Sequence, residues 1–524
     1  DTPDTIGFLY EFSNALAFTR TYIARMIVQS FGKRVHDTLY VTDADGNKIT
    51  SPERQRELRA AIVLIKHFTH LLPHSPNPET ALLHFREFIS QLFQRPNWPD
   101  EIASIERSDV LGALARLLGV SEFLWDDFLR MQYANLFPVV HNMAALSAAK
   151  PRSQLEAELK RALGNGSAGE QDWSAALNAF KDRELFRIDM RHILAQTDEF
   201  WEFAAEQTDL AEVVVAAAFS RCTDELRAHY GNPRLENGEP CEMTVFGLGK
   251  YGGRELGFAS DIELMFVYAG NGKTTGPNVI DTADFYEKIV HDVVAAIQAR
   301  QEGVFHIDLQ LRPYGKAGSL SVSLDSFRNY YAPEGAAWAY ERQALVKLRP
   351  VAGDSELGRK VCELRDVFVY ESGPFDVTAM RAMRERQIRH LVTGGTFNAK
   401  FSPGGLVDAE YLVQGLQINH GAGNPALRTT DLRETMTALL EAGVLSARDG
   451  LRLRRAHAFL RWLIDSLRVV RGNAKDVTIP PYENEEFAFL ARRLLYDNDI
   501  DRLRGDLTRY VRDIQELNQR LLPG

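Results

Sequence analysis

Two carboxylates two residues apart, Asp261 and Glu263, sit in the β-prone run Asp261–Tyr268 (DIELMFVY). Residues i and i+2 of a strand project from one face, so both side chains are directed at the same place. Bringing two like charges together costs free energy unless a cation or a partner offsets it. A hard divalent ion such as Mg²⁺ takes a few carboxylate oxygens and fills its shell with phosphate oxygens and water. A third carboxylate, Asp308, lies on the polar face of a later alternating run, Val304–Leu311 (VFHIDLQL). If the two strands are neighbours, the three acids converge. Such a triad can hold two ions ~3.5–4 Å apart that activate a nucleophile and steady a leaving pyrophosphate.

An acidic pair on a strand is by default its solvated face. The run ahead of it, Gly247–Ser260 (GLGKYGGRELGFAS), changes that reading. Glycines let backbone N–H groups approach phosphate closely, and Lys250 and Arg254 can neutralise its charge. Two neighbouring patterns are decoys. Gly247-x-Gly249-x-x-Gly252 copies the dinucleotide-binding fingerprint, yet the next strand begins at Asp261 and leaves no room for a crossover helix. Gly272-Lys273-Thr274 looks like the end of a P-loop, but Val267 stands where its first glycine is required.

The elements around these residues read mostly as helix. Glu79–Phe93 places Leu82, Leu83, Phe85, Phe88, Ile89, Leu92 and Phe93 at three- and four-residue spacings, an amphipathic stripe. Val110–Leu117, Glu122–Leu129 and Ser174–Leu194 behave similarly. Asp43–Pro52 reads as a turn or short hairpin, and Gly164–Gly169 as a flexible loop. The character changes near residue 236: turn chemistry at Asn237–Pro240, a short strand at Glu242–Phe246, the strand from Asp261, a helix over Thr282–Arg300, and the Val304–Leu311 strand. Helices return from about residue 355, among them Thr378–Leu391, Leu451–Val470 and one or two across 484–522. The expected class is mainly α with an embedded α/β domain. The expected segments are 1–75 (helical or linker), 76–236 (helical), 237–355 (α/β) and 356–524 (helical bundle).

The 524 residues suggest about three or four domains at ~150 residues each. With 45% hydrophobic and 25% charged residues the balance is that of a soluble globular protein. The three cysteines, Cys222, Cys241 and Cys362, are widely spaced, which excludes a disulfide framework or a cysteine zinc site and fits a reducing cytoplasm. A formal charge of −10 argues against gripping bulk nucleic acid. The longest apolar run, Val213–Phe219, falls far short of the ~20 residues that span a bilayer. No secretory pattern opens the chain, and its start at Asp1 without a methionine is the expectation for a piece of something longer.

The segment Phe246–Tyr268 (FGLGKYGGRELGFASDIELMFVY) resembles the signature of glutamine synthetase adenylyltransferases, members of the polymerase-β-like nucleotidyltransferase superfamily. Further matches follow in order: Asp308–Pro313 (DLQLRP), Tyr340–Lys347 (YERQALVK), Gly353-Asp354 and Gly404–Tyr411 (GGLVDAEY), so that the likeness covers about residues 75–520. It implies a nucleotidyltransferase domain at 237–355 and transfer of AMP from ATP to a tyrosine of glutamine synthetase, with Mg²⁺, releasing pyrophosphate. By the resemblance Asp261 and Glu263 bind the metals and Asp308 completes the cluster, nearest the tyrosine hydroxyl. Gly247, Gly249, Lys250, Gly252, Gly253 and Ser260 cradle the triphosphate. Arg312, Arg342 and Lys347 are candidate phosphate contacts. Many relatives carry Asp where Glu263 stands, and Gln310 replaces a commonly basic position.

Typical members are bifunctional, with two such halves in tandem. This single signature resembles one half, and Pro78–Phe88, Glu341–Leu345 and Gly405–Asp408 look like the adenylylating, C-terminal one. Glutamine synthetase and a PII-type signalling protein are the implied partners; neither nucleic acid nor membrane is expected. Phosphorolytic removal of AMP, releasing ADP, and a silent ATP-binding regulatory module are the competing readings. Asp408 and Glu410 read as acids in the first turn of a helix, His306 as a neighbour of the acids, and Arg381, Arg384, Arg386 and Arg389 as a solvated face.

Overall fold

The computed structural model describes chiefly residues 21–31, 34–69, 77–94, 148–164, 173–193, 200–299, 305–471, 475–496 and 499–523. The chain divides into two compact units, one of residues 1–148, 190–196 and 469–472, the other of 149–189, 197–468 and 473–524. In the first, an antiparallel hairpin pairs Tyr22–Phe31 with Arg34–Thr42. The sequence reading missed this hairpin and placed a break at Asp43–Pro52. That break is a turn in which Asp43 Oδ1 accepts from the backbone N–H groups of Asp45 (3.0 Å) and Asn47 (2.7 Å). Helices Pro52–Thr69 and Pro78–Leu92 follow, with the Phe68 and Phe85 rings stacked at 3.8 Å. The helical readings at 110–117 and 122–129 and the loop at 165–169 fall wholly or mostly outside the described residues.

The second unit holds the chemistry-bearing segment. Its central sheet comprises β1 (Met243–Gly247), β2 (Ile262–Tyr268), β3 (Ile307–Asp308), β4 (Ser321–Ser323) and β5 (Arg349–Gly353). The order is β5-β1-β2-β3, with β4 also pairing along β2. The β5–β1 and β1–β2 pairs are antiparallel, whereas β3 and β4 lie parallel to β2. All of β1 is buried, and within β2 only Glu263 is partly open. A strand covered on both faces loses the in-out alternation, which is why DIELMFVY is nearly continuously apolar.

Helices α1 (Arg152–Leu163), α2 (Trp173–Ile193), α3 (Phe200–Tyr230) and α4 (Thr282–Ala296) precede or interrupt the sheet. α5 (Ser355–Tyr370) packs against β1 and β5. Asp354 caps its start, Oδ1 accepting from the Leu357 N–H at 2.7 Å. The remaining helices, α6 (Val377–Leu391), α7 (Leu406–Gly421), α8 (Leu432–Glu441), α9 (Ala447–Arg471), α10 (Glu485–Arg493) and α11 (Ile500–Leu521), enclose a second apolar core that includes Leu412, Leu453, Leu460 and Leu517. The architecture is the expected one, mainly α with a small mixed sheet embedded. Among the described residues no helix is long and apolar enough to cross a membrane.

One element departs from the sequence reading. The alternation of Val304–Leu311 ends as a strand after Asp308. Phe305 and Ile307 are buried, but Leu311 is 36% exposed. The reason is local: Asp308 Oδ1 accepts from the Gln310 N–H at 2.7 Å, a turn that competes with the ladder. The Arg312 guanidinium then gathers the carbonyls of Leu309, Gly318 and Ser319 into a compact loop.

Asp189 is buried in this unit, accepting from Gln207 Nε2 at 2.7 Å. Burial, and then the charge of Asp465, push its carboxyl well above the usual range. The folded state therefore holds the proton that the unfolded chain releases from about pH 4 upward, so the stability it contributes is lost as pH rises from there. Asp189→Asn cannot ionise. Its melting temperature relative to wild type should climb between about pH 5 and pH 8; a difference independent of pH would count against this account.

Candidate active site

The register of the sheet sets the acids. β2 and β3 pair parallel with Glu263 directly opposite Asp308, and Asp261 lies one residue before β2. The Ile262 N–H donates to the His306 carbonyl at 2.8 Å, which fixes the two strand starts side by side. β1 leads into the glycine-rich loop, whose first part is a single helical turn, Gly249–Gly252. Gly249 has φ +51°, and a β-carbon there would collide with the Glu263 carboxylate. A β-carbon on Gly252 would strike the carbonyls of Gly247 and Lys347. These glycines thus allow the loop to lie on the acidic strand and on the segment entering β5.

Gly249, Lys250, Ser260, Asp261, Glu263, Asp308, Arg312 and Lys347 line a single cleft of about 1340 Å³. Gly247, Gly252 and Gly253 are packed outside its lining. Ser260 Oγ accepts from the Gly257 N–H at 3.0 Å, bending the loop into β2. Exposed aromatic side chains, Tyr314, Trp338 and Tyr340, stand on the same cleft. Glu341 fixes part of that wall, its Oε1 accepting from the Trp338 N–H (3.0 Å) and the Tyr330 hydroxyl (2.9 Å).

Several charges proposed from sequence are bound within the protein. Arg254 pairs with Asp209 (2.7 Å) and Glu212 (3.2 Å) of α3. Arg342 donates to the carbonyls of Val369, Gly373 and Pro374, clamping the end of α5. Arg384 is buried against Asp408 at 2.7 Å, and Arg381 donates to the Leu522 carbonyl at 2.9 Å, so half of that arginine stripe is structural. Asp408 does sit in the first turn of α7 and accepts from the Gly404 N–H at 2.7 Å.

Electrostatics concentrate at the back of the cleft. Burial, with the charge of Asp308, raises the Glu263 carboxyl, although Lys250 pulls it back. Burial, then Arg461 and Arg468, hold the Lys250 ammonium well below its ordinary value. Lys347 is also buried, but Glu255, at 2.7 Å, and Glu410 more than offset the burial and raise it. Glu410 extends into the cleft from α7; burial pushes its carboxyl up, yet His457 and Lys347 hold it far below the usual range. The hard oxygen donors fit Mg²⁺. Among the described residues no three His, Cys, Asp or Glu side chains form a ready-made cage, and Mg²⁺ needs none, since one or two carboxylates plus substrate phosphates suffice.

Residues 48–363 match the family of glutamate-ammonia ligase adenylyltransferases, more than half of the chain and the whole of this site up to β5. The chain belongs to that family. Residues 378–522, which make α6 to α11, match the family described as GlnD PII-uridylyltransferase. Similar curated proteins are bifunctional glutamine synthetase adenylyltransferase/adenylyl-removing enzymes. The one from Stenotrophomonas maltophilia (strain K279a) is 33% identical over 57% of this chain and 32% of its own length. That from Thioalkalivibrio sulfidiphilus (strain HL-EbGR7) is 31% identical over 65% and 35%. The matched region therefore spans about a third of the length of these relatives.

Sequence reasoning missed Glu255, Lys400 and Arg468. Glu255 was visible within the glycine-rich run and Lys400 stands four residues before Gly404, but neither has a neighbour in sequence that declares its role. Glu255→Ala leaves Lys347 buried without its partner and should cost about 3–5 kcal/mol, read as a lower urea midpoint. Gly249→Ala puts a β-carbon at φ +51° against the Glu263 carboxylate, and should lower the melting temperature by a few degrees while displacing Glu263. Catalytic activity should then fall by about 10²-fold; full activity would refute the close approach.

Proposed function

We propose that this chain transfers AMP from ATP to a tyrosine of glutamine synthetase, releasing pyrophosphate. The observation that carries the proposal is the parallel register of Glu263 with Asp308 beneath a glycine-rich loop, in a cleft that also holds Lys250 and Lys347. Family membership supplies the group transferred and the acceptor protein.

Asp261 and Glu263 would hold Mg²⁺, with Asp308 completing the donor set for a second ion. Mg²⁺ when bound neutralises developing charge on the phosphates and acidifies a nearby hydroxyl. Asp308 borders the open cleft and is the group placed to accept the proton of the tyrosine, which at a pKa near ~10 keeps it at neutral pH. The tyrosyl oxygen forms a bond to the α-phosphorus while the α–β bridging bond breaks and its electron pair leaves with pyrophosphate. Gly249 and Ser260 bring the loop against the phosphates, and Lys250 opposes their charge, Lys347 being neutralised by Glu255.

The adenylylating direction is favoured by the motifs at Pro78–Phe88, Glu341–Leu345 and Gly405–Asp408. The relatives' names include adenylyl removal, so phosphorolytic removal of AMP, releasing ADP, is the second reading. The likeness of residues 378–522 to a PII-uridylyltransferase supports a PII-type protein as the regulatory partner of the bundle.

The protein, Mg²⁺, unmodified glutamine synthetase and ATP labelled on the α-phosphate should yield stably labelled synthetase, and Asp261→Ala should abolish it. Absence of label, with release of ADP from AMP-modified synthetase and phosphate, would transfer the assignment to removal. Failure of both with ATP still bound would leave a regulatory module.

A further inference from the structure

The loop between α6 and α7 carries a lysine for which the reaction as described has no use. Lys400, on a segment of the bundle, lines the same cleft as the glycine-rich loop. Its backbone is fixed at both ends: the N–H donates to Asn398 Oδ1 at 3.0 Å and the carbonyl accepts from the Val407 N–H at 3.1 Å. The neighbouring residues are equally held. Ala399 N–H donates to the Val477 carbonyl at 2.9 Å, and Arg384 donates to the Phe401 carbonyl at 2.9 Å. Among the described residues the Lys400 ammonium makes neither an ion pair nor a hydrogen bond; it stands 4.9 Å from the Phe401 ring centroid.

Lys250, which lines the same cleft, is in the same condition, without an ion pair or hydrogen bond among the described residues. The other cations nearby are engaged: Lys347 with Glu255, Arg461 with the Glu255 carbonyl at 2.5 Å, and Arg468 with the Phe258 carbonyl at 2.6 Å. Two ammonium groups that are uncommitted among the described residues, lining one cleft and close enough for the charge of one to act on the other, make a site for a compact polyanion. Lysine suits such a ligand as a point charge on a reachable stem.

We propose that Lys400 and Lys250 together grip a diphosphate group, the β,γ-end of ATP and the pyrophosphate that leaves, so that bound nucleotide bridges the α/β module and the helical bundle. The assignment of that group to ATP rests on the function proposed above; the anion site itself does not. Burial and the charge of Arg468 hold the Lys400 ammonium below its ordinary value, as Arg461 and Arg468 do for Lys250, and an anion between them relieves that crowding.

Calorimetric titration of the purified chain in Mg²⁺ with pyrophosphate, ATP, inorganic phosphate and adenosine tests the proposal. Lys400→Ala should weaken pyrophosphate and ATP by at least about tenfold and leave adenosine within about twofold; Lys400→Arg should recover most of the loss. Should Lys400→Ala melt well below wild type, Lys400→Met, which keeps the aliphatic stem, decides instead. Pyrophosphate binding unchanged in the variant, or absent from the wild type, would overturn the assignment. Dependence on Lys400 for inorganic phosphate alone would also overturn it, in favour of the attacking phosphate of phosphorolytic removal. A wild-type protein that labels no synthetase, yet binds pyrophosphate through Lys400, would sink adenylylation and leave the anion site standing.

Discussion

The carboxylate of Glu255 is wholly buried, and three distant parts of the chain meet on this one residue. Lys347 Nζ reaches Oε2 at 2.7 Å, the Leu432 N–H donates to Oε1 at 3.1 Å, and Arg461 donates to the residue's own carbonyl at 2.5 Å. A buried charge is tolerable only where its partners satisfy it. Glu255 therefore cannot be satisfied unless the glycine-rich loop, the segment entering β5 and the start of α8 are all in place. The shape of the cleft depends on that condition, because these segments form or support its walls.

Above this anchor the site separates two kinds of charge. The acids stand on strand ends, where a parallel ladder sets Glu263 against Asp308. The cations stand on loops that are stiffened by side-chain to backbone bonds. Ser260 and Asn398 perform the same service in two separate loops, each accepting from backbone N–H groups within two to three residues of itself. Functional groups on loops are normally less precise than those on strands; the caps remove that handicap without adding bulk to the cleft.

The helical bundle is more than a wall. α9 sends Arg461 and Arg468 to the carbonyls of Glu255 and Phe258, and Asp465 lies against Gly257. α7 contributes Glu410 at the back of the cleft. The bundle belongs to the part of the chain that resembles a PII-uridylyltransferase, and these contacts tie it to the glycine-rich loop.

By itself the sequence determined several of the helices, the class of fold, and the pairing of a glycine-rich loop with two acids. Those are local matters: periodicity, turn chemistry and the spacing of side chains along a strand act over a few residues. It also pointed to Asp308, whose alternation placed it on the polar face of its strand. What only the tertiary structure decided was which charges remain available. Arg254 and Arg342 looked free in the sequence and are occupied by Asp209 and Glu212 and by the carbonyls that end α5. Lys347 and Glu255, 92 residues apart, neutralise one another, whereas Lys400, which no motif marked, faces the cleft uncommitted. The end of β3 at Asp308 was equally hidden, because the turn that stops it is made by the acid's own side chain. An ion pair is chosen by packing between distant segments, and no pattern along the chain records that choice.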